Sequence, residues 1–321
     1  MPFIDLSPAE LLRYRSDVAD PADFDDFWTQ TLAETATIPL DARFEPIDVG
    51  LQLVDVFDAS FAGFGGHPIK GWYIRPRGAA AGLSALVKFI GYNGGRGFAH
   101  EHLLWPATGR AVFVMDTRGQ GSGGSHGETP DPVGSDPAHA GYMTRGIADP
   151  KSYFYRRVFT DAVRAVAALR TRPEVDADRV GAVGGSQGGG ITLAVAGLVP
   201  DLRAAMPDVP FLCDFRRGAA IAVRGPYGEI VNYLSVHRDK ADIAFRTLSY
   251  FDGVNFSRRA KAPALFSVGL MDAVCPASTV HGAYNVYAGP KAIETYGFND
   301  HEGGGGFQER RQLDWLSAQG I

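Results

Sequence analysis

The chain has few cysteines and no excess of positive charge. Only two of its 321 residues are cysteine, Cys213 and Cys275, which is too few for a disulfide framework. Neither thiol has metal-ligand spacing around it, and we expect no metal and no cofactor. The net charge of −5 argues against a nucleic acid or an anionic membrane as the partner.

Long apolar segments are also missing. No run of about 18 apolar residues occurs, so we expect no membrane-spanning helix and no membrane partner. Residues 1–6 lack the basic stretch and the apolar stretch that a secretory signal combines. Together with the scarcity of cysteine, these absences predict a cytoplasmic protein.

Strand and helix patterns alternate along most of the chain. Hydrophobic residues make up 45% of the chain and charged residues 21%, which is enough for a large core. Residues 85–90 and 111–115 are near-continuous apolar runs, typical of parallel strands buried on both faces. Further strands are predicted at residues 179–183, 204–208, 264–269 and 291–296, and helices at residues 20–35, 155–170, 278–287 and 307–316. The alternation predicts an α/β fold with a mostly parallel sheet and helices on both faces.

Two segments depart from this alternation. Residues 44–61 and 67–75 have period-2 character and predict an antiparallel ribbon. Residues 210–256 are rich in arginine, aromatic residues and aspartate, and predict a helical excursion over the carboxyl edge of the sheet, a lid. Because no linker, repeat or low-complexity segment interrupts the chain, we expect residues 1–321 to form one domain.

The segment Gly-Gly-Ser-Gln-Gly at residues 184–188 is the strongest functional signal. It joins the apolar run 179–183 to the apolar run 189–196, and therefore a buried strand to a buried helix. That context is the one that a G-x-S-x-G nucleophile elbow requires. Glycines tolerate the strained turn, and the N–H groups of the helix favour negative charge near Ser186. We predict that Ser186 is a nucleophile; the alternative is a glycine-rich turn that only packs helix against strand.

Asp272 and His301 are the predicted partners of Ser186. A serine hydroxyl needs a base to take its proton, and that base needs an orienting acid. In a parallel sheet the partners follow later strands at the same edge, in the order Ser, Asp or Glu, His. Asp272 follows the strand that ends at residue 269, and His301 the strand that ends at residue 296. Other histidines fit less well, because two precede the serine and two fall in helical patterns: His100, His102, His237 and His281.

Two other aspartates also follow strands. Asp116 opens the loop 116–121, where it could instead form a turn beside the strand end. Asp208 precedes the histidine too, but it lies closer to the elbow in sequence. We favour Asp272 because one strand–helix unit separates it from His301, as this kind of fold expects. Asp116 and Asp208 stay open as alternatives for the orienting acid.

Two main-chain N–H groups are candidates for an oxyanion hole, which stabilises the tetrahedral intermediate of acyl transfer. One belongs to Gln187, the residue after the nucleophile. The other is expected in the loop 91–95 after an early central strand, where position favours Tyr92, although the glycines there could simply make a turn. The glycine run 303–306 we interpret as a flexible tether behind His301 rather than as a phosphate-binding loop.

Five segments together match the motifs of one known family. They are Arg-Gly-Gln-Gly at 118–121, Gly-Gly-Ser-Gln-Gly-Gly at 184–189, His-Glu at 301–302, Gly-Tyr-Asn-Gly at 91–94, and Asp272 with Pro-Ala-Ser-Thr at 276–279. In these segments, and over essentially its whole length, the chain resembles the acetyl xylan esterase / cephalosporin C deacetylase family. This family is carbohydrate esterase family 7 of the α/β-hydrolases. The resemblance implies an α/β-hydrolase fold.

The resemblance also implies roles for individual residues. Ser186, Asp272 and His301 would be the catalytic triad, and Tyr92 with Gln187 the oxyanion hole. The supporting motif residues would brace the active-site loops and the histidine loop: Arg118, Gly119, Gln120 and Glu302. Residues lining a small acyl pocket that suits acetyl would be Phe211, Pro226 and Val274.

The expected activity is that of a serine esterase. The resemblance implies removal of acetyl groups from xylo-oligosaccharides and similar small substrates, including the antibiotic cephalosporin C, and a homo-oligomer, typically a ring-shaped hexamer. A serine oligopeptidase shares the elbow, but we find neither a β-propeller nor a pair of amine-binding carboxylates. A non-catalytic receptor with this fold generally loses a triad residue, whereas this chain keeps all three candidates.

Overall fold

A nine-stranded sheet forms the centre of the computed structural model, which describes residues 5–134 and 136–321. The strands of these residues, in chain order, are β1 (Arg43–Ile47), β2 (Val54–Ala62), β3 (Pro68–Pro76), β4 (Leu83–Phe89), β5 (Ala111–Met115), β6 (Ser122–Gly123), β7 (Ser125–His126), β8 (Val175–Gly185), β9 (Ala204–Asp208), β10 (Ala264–Gly269) and β11 (Lys291–Tyr296). β6 and β7 pair only with each other, and the other strands form the sheet.

The sheet is mostly parallel. Its strand order is β1-β2-β3-β5-β4-β8-β9-β10-β11. Three neighbouring pairs are antiparallel, namely β1 with β2, β2 with β3, and β3 with β5. Every neighbouring pair from β5 to β11 in this order is parallel. The predicted α/β class is therefore confirmed. The carboxyl ends of the parallel strands share one edge, where ligands of such sheets bind.

Helices cover both faces of this sheet. They are α1 (Pro8–Leu11), α2 (Phe24–Ala36), α3 (Leu104–Ala107), α4 (Phe154–Arg170), α5 (Gln187–Leu198), α6 (Phe215–Ile221), α7 (Tyr227–Val236), α8 (Ala241–Ser249), α9 (Gly253–Ser257), α10 (Ala277–Val286) and α11 (Gly305–Ala318). Successive side chains of a strand point to opposite faces. In β4, Val87 therefore packs in the core beneath α4 and α5, whereas Leu86 packs with Leu316 of α11.

The antiparallel part of the sheet differs from the prediction. The run 44–61 was predicted as one arm of a ribbon, but it forms two strands, β1 and β2, which pair with each other. The chain reverses between them, and Gly50 has a positive φ of 77° there. Period-2 patterns continue through both strands, so the pattern alone does not mark this reversal.

The segment 210–256 lies beside the carboxyl edge of the sheet. It contains α6, α7 and α8 and the start of α9, so it is helical. Glu229 of α7 reaches the loop after β4, where its carboxylate accepts a hydrogen bond from the Tyr92 hydroxyl at 2.6 Å. The role of the segment 210–256 as a lid stays a prediction. Among the helices of the described residues, none combines the length and apolar character needed to cross a bilayer.

Candidate active site

Ser186 occupies a strained turn between β8 and α5. Its φ of 56° and ψ of −120° lie outside the common regions for a residue with a side chain. A Cβ at Gly184 would lie 2.5 Å from the main-chain carbon of Gly188, and a Cβ at Gly188 would lie 2.3 Å from the carbonyl oxygen of Phe89. These two glycines therefore let strand, turn and helix approach closely. Ser186 stands directly before the first turn of α5, whose N–H groups favour negative charge.

His301 and Asp272 are hydrogen-bonded to each other. The Nδ1 atom of His301 donates to Oδ2 of Asp272 at 2.7 Å, and the aspartate side chain is fully buried. The other oxygen, Oδ1, accepts the main-chain N–H groups of Val274 and Cys275, both at 2.8 Å. These bonds hold the carboxylate and, through it, the imidazole. Nε2 of His301 is then the nitrogen available to take and return a proton.

Ser186 and His301 line the same cleft, which has a volume of about 230 Å³. The side chain of His301 is 24% exposed, so a substrate in the cleft can reach the imidazole. The side chain of Ser186 interacts with the thiol of Cys275. Contacts between nucleophile and base are often loose without substrate and tighten when it binds. The structure therefore brings the three predicted triad residues to one place; their catalytic roles stay predictions.

The loop that carries His301 is tied to the loop that carries Asp272. Oδ1 of Asp300 accepts the main-chain N–H of Ala273 at 3.0 Å, and its Oδ2 pairs with Arg224 at 2.5 Å. Glu302 closes the histidine loop on itself, because its carboxylate accepts the Asn299 side-chain amide at 2.6 Å. That hydrogen bond lowers the pKa of Glu302. Glu302 thus contacts the loop and not the imidazole.

The alternative acids make other contacts. Oδ2 of Asp116 accepts the main-chain N–H groups of Glu128 and Thr129 at 2.7 and 2.8 Å, which organises a loop. The carboxylate of Asp208 accepts the side-chain amides of Gln308 and Gln312, at 2.8 and 2.5 Å. Burial raises the pKa of Asp208 to about 7. In this geometry it is Asp272 that orients His301.

Tyr92 and Gln187 are the two residues whose main-chain N–H groups are the candidate oxyanion donors. Gln187 is the first residue of α5, so its main-chain N–H has no partner within the helix. The side chain of Gln120 lies between the two candidate donors: its Oε1 accepts the N–H of Asn93 at 2.7 Å, and its Nε2 donates to Oε1 of Gln187 at 2.9 Å. Gln120 thus holds both segments of the predicted oxyanion hole in one arrangement.

The side chain of Tyr92 is fixed by a residue that the sequence did not single out. Glu229 accepts the Tyr92 hydroxyl through Oε1 and the main-chain N–H of Met143 through Oε2, the latter at 3.1 Å. Burial raises the pKa of Tyr92, and the neighbouring Glu229 carboxylate raises it further. Nothing in the sequence marks Glu229, because one glutamate in a helical segment is normally a surface residue.

Arg118 is buried in a network of charges behind the active-site loops. Its guanidinium makes two hydrogen bonds to Asp161 of α4, at 2.6 and 2.8 Å, and lies 3.6 Å from Asp131. Asp131 also pairs with Arg157 at 2.7 Å. Gly119 follows with a φ of +67°, a conformation that side chains rarely adopt. The anchored side chain of Arg118 and the backbone conformation of Gly119 therefore fix the direction in which the chain reaches Gln120.

The residues expected to line an acyl pocket lie beside the elbow. Phe211 and Val274 are buried, and the main-chain N–H of Phe211 donates to the carbonyl of Ser186 at 2.9 Å. The ring of Phe211 meets that of Tyr92 edge-on, with centroids 6.0 Å apart. Pro226 directly precedes α7, next to a glycine whose added Cβ would touch Val274. Their role as a pocket for acetyl stays a prediction.

The glycine run after His301 is not the loose tether that we expected. A Cβ at Gly303 would lie 2.6 Å from a methyl group of Val209, and a Cβ at Gly304 would lie 2.2 Å from the ring of Tyr296. Gly304 is also the residue that caps α11, with a φ of 92°. Close packing at the start of the helix therefore explains the first two of these glycines.

Three side chains of this site also have the residue types of a metal site. Each of the residues Asp272, Cys275 and His301 has one possible ligand atom, and these three atoms all lie within 4.8 Å of one another. However, Asp272 and His301 are already bonded to each other, and burial raises the pKa of the Cys275 thiol well above its usual value. A metal ligand thiol must lose its proton, so the set suits proton transfer better. That the protein needs no metal stays a prediction.

Comparison with known proteins decides the family. The sequence model of the acetyl xylan esterase family (AXE1) matches residues 1–319, nearly the full chain. The chain belongs to the acetyl xylan esterase family. The predicted family relationship is thus confirmed. A curated relative, the acetyl esterase Axe7A of Xylanibacter ruminicola, is 25% identical over 295 residues, which is 88% of this chain and 64% of that protein. The chain therefore spans less than two thirds of the length of this relative.

Solved structures agree with the family over the whole chain. The acetyl xylan esterase from Paenibacillus sp. R4 is 39% identical, with a TM-score of 0.91, over 98% of this chain and 99% of that one. Acetyl xylan esterase 1 from Thermoanaerobacterium sp. JW/SL YS485 is 32% identical, with a TM-score of 0.88 and the same coverage. The acylaminoacyl peptidase of Pyrococcus horikoshii, 15% identical with a TM-score of 0.56 over 87% of this chain and 41% of its own, shares only the fold. The α/β-hydrolase fold is therefore confirmed, and the family supports an acetyl esterase activity.

Replacing Gln120 with alanine should slow an enzyme of this family without weakening substrate binding. The change removes the acceptor for the Asn93 N–H and the amide that pairs with Gln187, so both oxyanion donors lose their support. A hydrogen-bonding group left unpaired in a buried site costs about 1–3 kcal/mol, so we expect kcat to fall about tenfold with KM little changed. Steady-state hydrolysis of p-nitrophenyl acetate measures both constants.

The matched control for this variant is Gln30→Ala. Gln30 is exposed on α2, remote from the elbow in sequence, and its replacement should leave kcat unchanged. A Gln120→Ala enzyme with wild-type kcat would contradict the role assigned to Gln120.

Proposed function

We propose that this protein is a serine esterase that removes acetyl groups from acetylated xylo-oligosaccharides and related small acetylated substrates, including those of the cephalosporin C type. One observation carries the proposal: Ser186, on a strained elbow, lines the same cleft as a histidine hydrogen-bonded to a buried aspartate. Membership in the acetyl xylan esterase family supports acetyl as the group that is transferred. We further propose a cytoplasmic homo-oligomer, a hexamer by resemblance to the family.

The reaction begins with attack by Ser186. Its Oγ bonds to the carbonyl carbon of the acetyl group while Nε2 of His301 takes the hydroxyl proton. The carbonyl π electrons move to the oxygen, which becomes the oxyanion. Because the side chain of Asp272 is buried and bonded to Nδ1, it stabilises the imidazolium that forms. When the tetrahedral intermediate collapses, the ester C–O bond breaks and the imidazolium gives its proton to the departing alcohol.

A water molecule completes the cycle. The water oxygen attacks the carbonyl carbon of the acetyl-enzyme while His301 takes one of its protons. When the second tetrahedral intermediate collapses, the bond from Oγ of Ser186 to the carbonyl carbon breaks, the imidazolium returns its proton to Oγ, and acetic acid is released and ionises to acetate. The oxyanion of both intermediates would be bound by the main-chain N–H groups of Tyr92 and Gln187, which Gln120 holds in place. Preorganised donors of this kind usually supply the largest electrostatic part of catalysis.

The acyl side of the site favours a small group. Phe211 and Val274 are buried next to the elbow, and Tyr92 is held rigidly by Glu229. A closely packed pocket cannot admit a longer chain without displacing these side chains. The proposal therefore includes a preference for acetyl over longer acyl groups.

Release of acetate from acetylated xylo-oligosaccharides tests the proposed function. We expect acetate release from acetylated xylobiose and from cephalosporin C, and a kcat/KM for p-nitrophenyl acetate at least tenfold above that for p-nitrophenyl butyrate, since one or two extra methylenes in a tight pocket change binding by about 1–3 kcal/mol. An N-acetylated aminoacyl peptide serves as the comparison for peptidase activity. Cleavage of that peptide, with none of the acetyl esters, would reject the proposal.

A further inference from the structure

A second cleft adjoins the one that holds Ser186 and His301. It has a volume of about 160 Å³, and its walls include Lys88 of β4 and His102. Both clefts are lined by Gly185, Asp208 and Glu309, so they lie side by side along the start of α11. His301 thus lines one of these neighbouring clefts and Lys88 the other.

The position of Lys88 is set by a neutral histidine. Nε2 of His102 lies 2.8 Å from the carbonyl oxygen of Arg96, an acceptor, so this nitrogen carries the ring proton. Nδ1 of His102 then accepts a hydrogen bond from the Lys88 ammonium at 3.1 Å. Burial and, after it, the charge of Lys88 lower the pKa of His102 to about 4. The lysine is thereby held at one point of the cleft wall without an opposite charge bound to it.

Lys88 keeps donor capacity for a ligand. An ammonium group has three N–H donors, and the bond to His102 uses one. Among the residues 5–134 and 136–321, no carboxylate lies within 4.0 Å of its nitrogen. Burial lowers the pKa of Lys88, and the charges of Glu309 and Glu101 act in the opposite direction. Glu309 is exposed on α11 and offers acceptor oxygens to the same space. The cleft thus combines a fixed donor with an acceptor, and sugar hydroxyl groups need both.

The alcohol half of an ester must lie on the His301 side of the nucleophile. His301 protonates the departing oxygen, so that oxygen lies within hydrogen-bond reach of Nε2. Phe211 and Val274, the residues predicted to line the acyl pocket, line neither cleft, so the two clefts lie apart from the predicted acyl pocket.

We propose that this second cleft binds the sugar on the alcohol side of the ester, with Lys88 donating hydrogen bonds to its hydroxyl oxygens and Glu309 accepting from its hydroxyl groups. This site rests on the proposed function, and Lys88 and Glu309 would select an alcohol with several hydroxyl groups. A set of one cation and several carboxylates can both donate hydrogen bonds to hydroxyl groups and accept hydrogen bonds from them.

Two variants test this assignment through substrate selectivity. Acetylated xylobiose presents sugar hydroxyl groups to the cleft, whereas p-nitrophenyl acetate has a flat leaving group with none. We expect the ratio of kcat/KM for acetylated xylobiose to that for p-nitrophenyl acetate to fall about tenfold or more in Lys88→Met and in Glu309→Ala, as expected when hydrogen bonds to charged groups are lost. Glu309 is exposed, so its variant keeps the test valid should Lys88→Met fail to fold.

The outcomes separate this inference from the proposed function. Arg310→Ala, next to Glu309 on α11 but not in the wall of either cleft, should keep the wild-type ratio. Wild-type ratios in both test variants would overturn the sugar site while leaving the esterase intact. A wild-type enzyme that hydrolyses p-nitrophenyl acetate but no acetylated sugar would instead reject the proposed function, and the sugar site with it.

Discussion

Replacement of Ser186 by alanine should lower kcat for p-nitrophenyl acetate by about 10⁴-fold or more. The variant removes the atom that forms the acyl-enzyme, and the remaining residues of a triad cannot substitute for it. Binding of substrate uses other groups, so KM should change much less. Steady-state assays at high enzyme concentration measure the residual rate.

The control for this loss is a serine of similar size elsewhere. Ser235 is exposed on α7, and its alanine variant should retain the wild-type rate. Ser186→Ala should also keep the wild-type circular dichroism spectrum, because the hydroxyl makes no contribution to the elbow backbone. Activity within a few-fold of wild type in Ser186→Ala would place the nucleophile elsewhere.

Removing the charge of Arg118 should destabilise the whole fold. Arg118→Met leaves the buried carboxylate of Asp161 without its two hydrogen bonds from the guanidinium. Breaking one side of a buried ion pair costs about 3–5 kcal/mol, because the partner stays buried with an uncompensated charge. We expect a loss of this size in the free energy of unfolding, measured by urea denaturation at pH 8.

The destabilisation should depend on pH. Burial already raises the pKa of Asp161, and loss of Arg118 raises it further. A carboxyl group with a raised pKa in the folded state binds its proton more tightly there than when unfolded, so stability falls as the pH rises through that pKa. The defect of Arg118→Met should therefore be smaller at pH 5 than at pH 8. The control is Arg43→Met, which breaks an exposed ion pair with Asp41 and should keep the free energy of unfolding of the wild type. A free energy of unfolding for Arg118→Met equal to that of the wild type would contradict the role of the buried network.

The elbow and the positions of Asp272 and His301 could be predicted from the sequence, because each follows a strand with a clear apolar pattern. The elbow can be located from the sequence because a buried strand, a glycine-flanked serine and a buried helix follow one another directly. Asp272 and His301 can be located because parallel strands all end at one edge, so chain order translates into proximity. The structure places both in contact, and the family match covers the same segments.

Contacts between distant segments are what the sequence does not show. Glu229 lies 137 positions after Tyr92 in the chain, and no periodicity links a helix of the excursion to the loop after β4. The partners of Arg118 are equally remote, since Asp161 belongs to α4. The interpretation of the run 303–306 as a flexible tether is wrong for Gly303 and Gly304 for a related reason. Glycine allows both flexibility and close approach, and here the neighbours Val209 and Tyr296 show that close approach applies.

Covalent labelling tests the central claim that Ser186 carries the acyl group. A fluorophosphonate probe phosphonylates an activated serine, and mass spectrometry of the digested protein locates the adduct. We predict stoichiometric labelling at Ser186, complete loss of esterase activity on labelling, and no adduct in Ser186→Ala. Labelling of a different residue, or an unlabelled Ser186 in a fully active enzyme, would contradict the account.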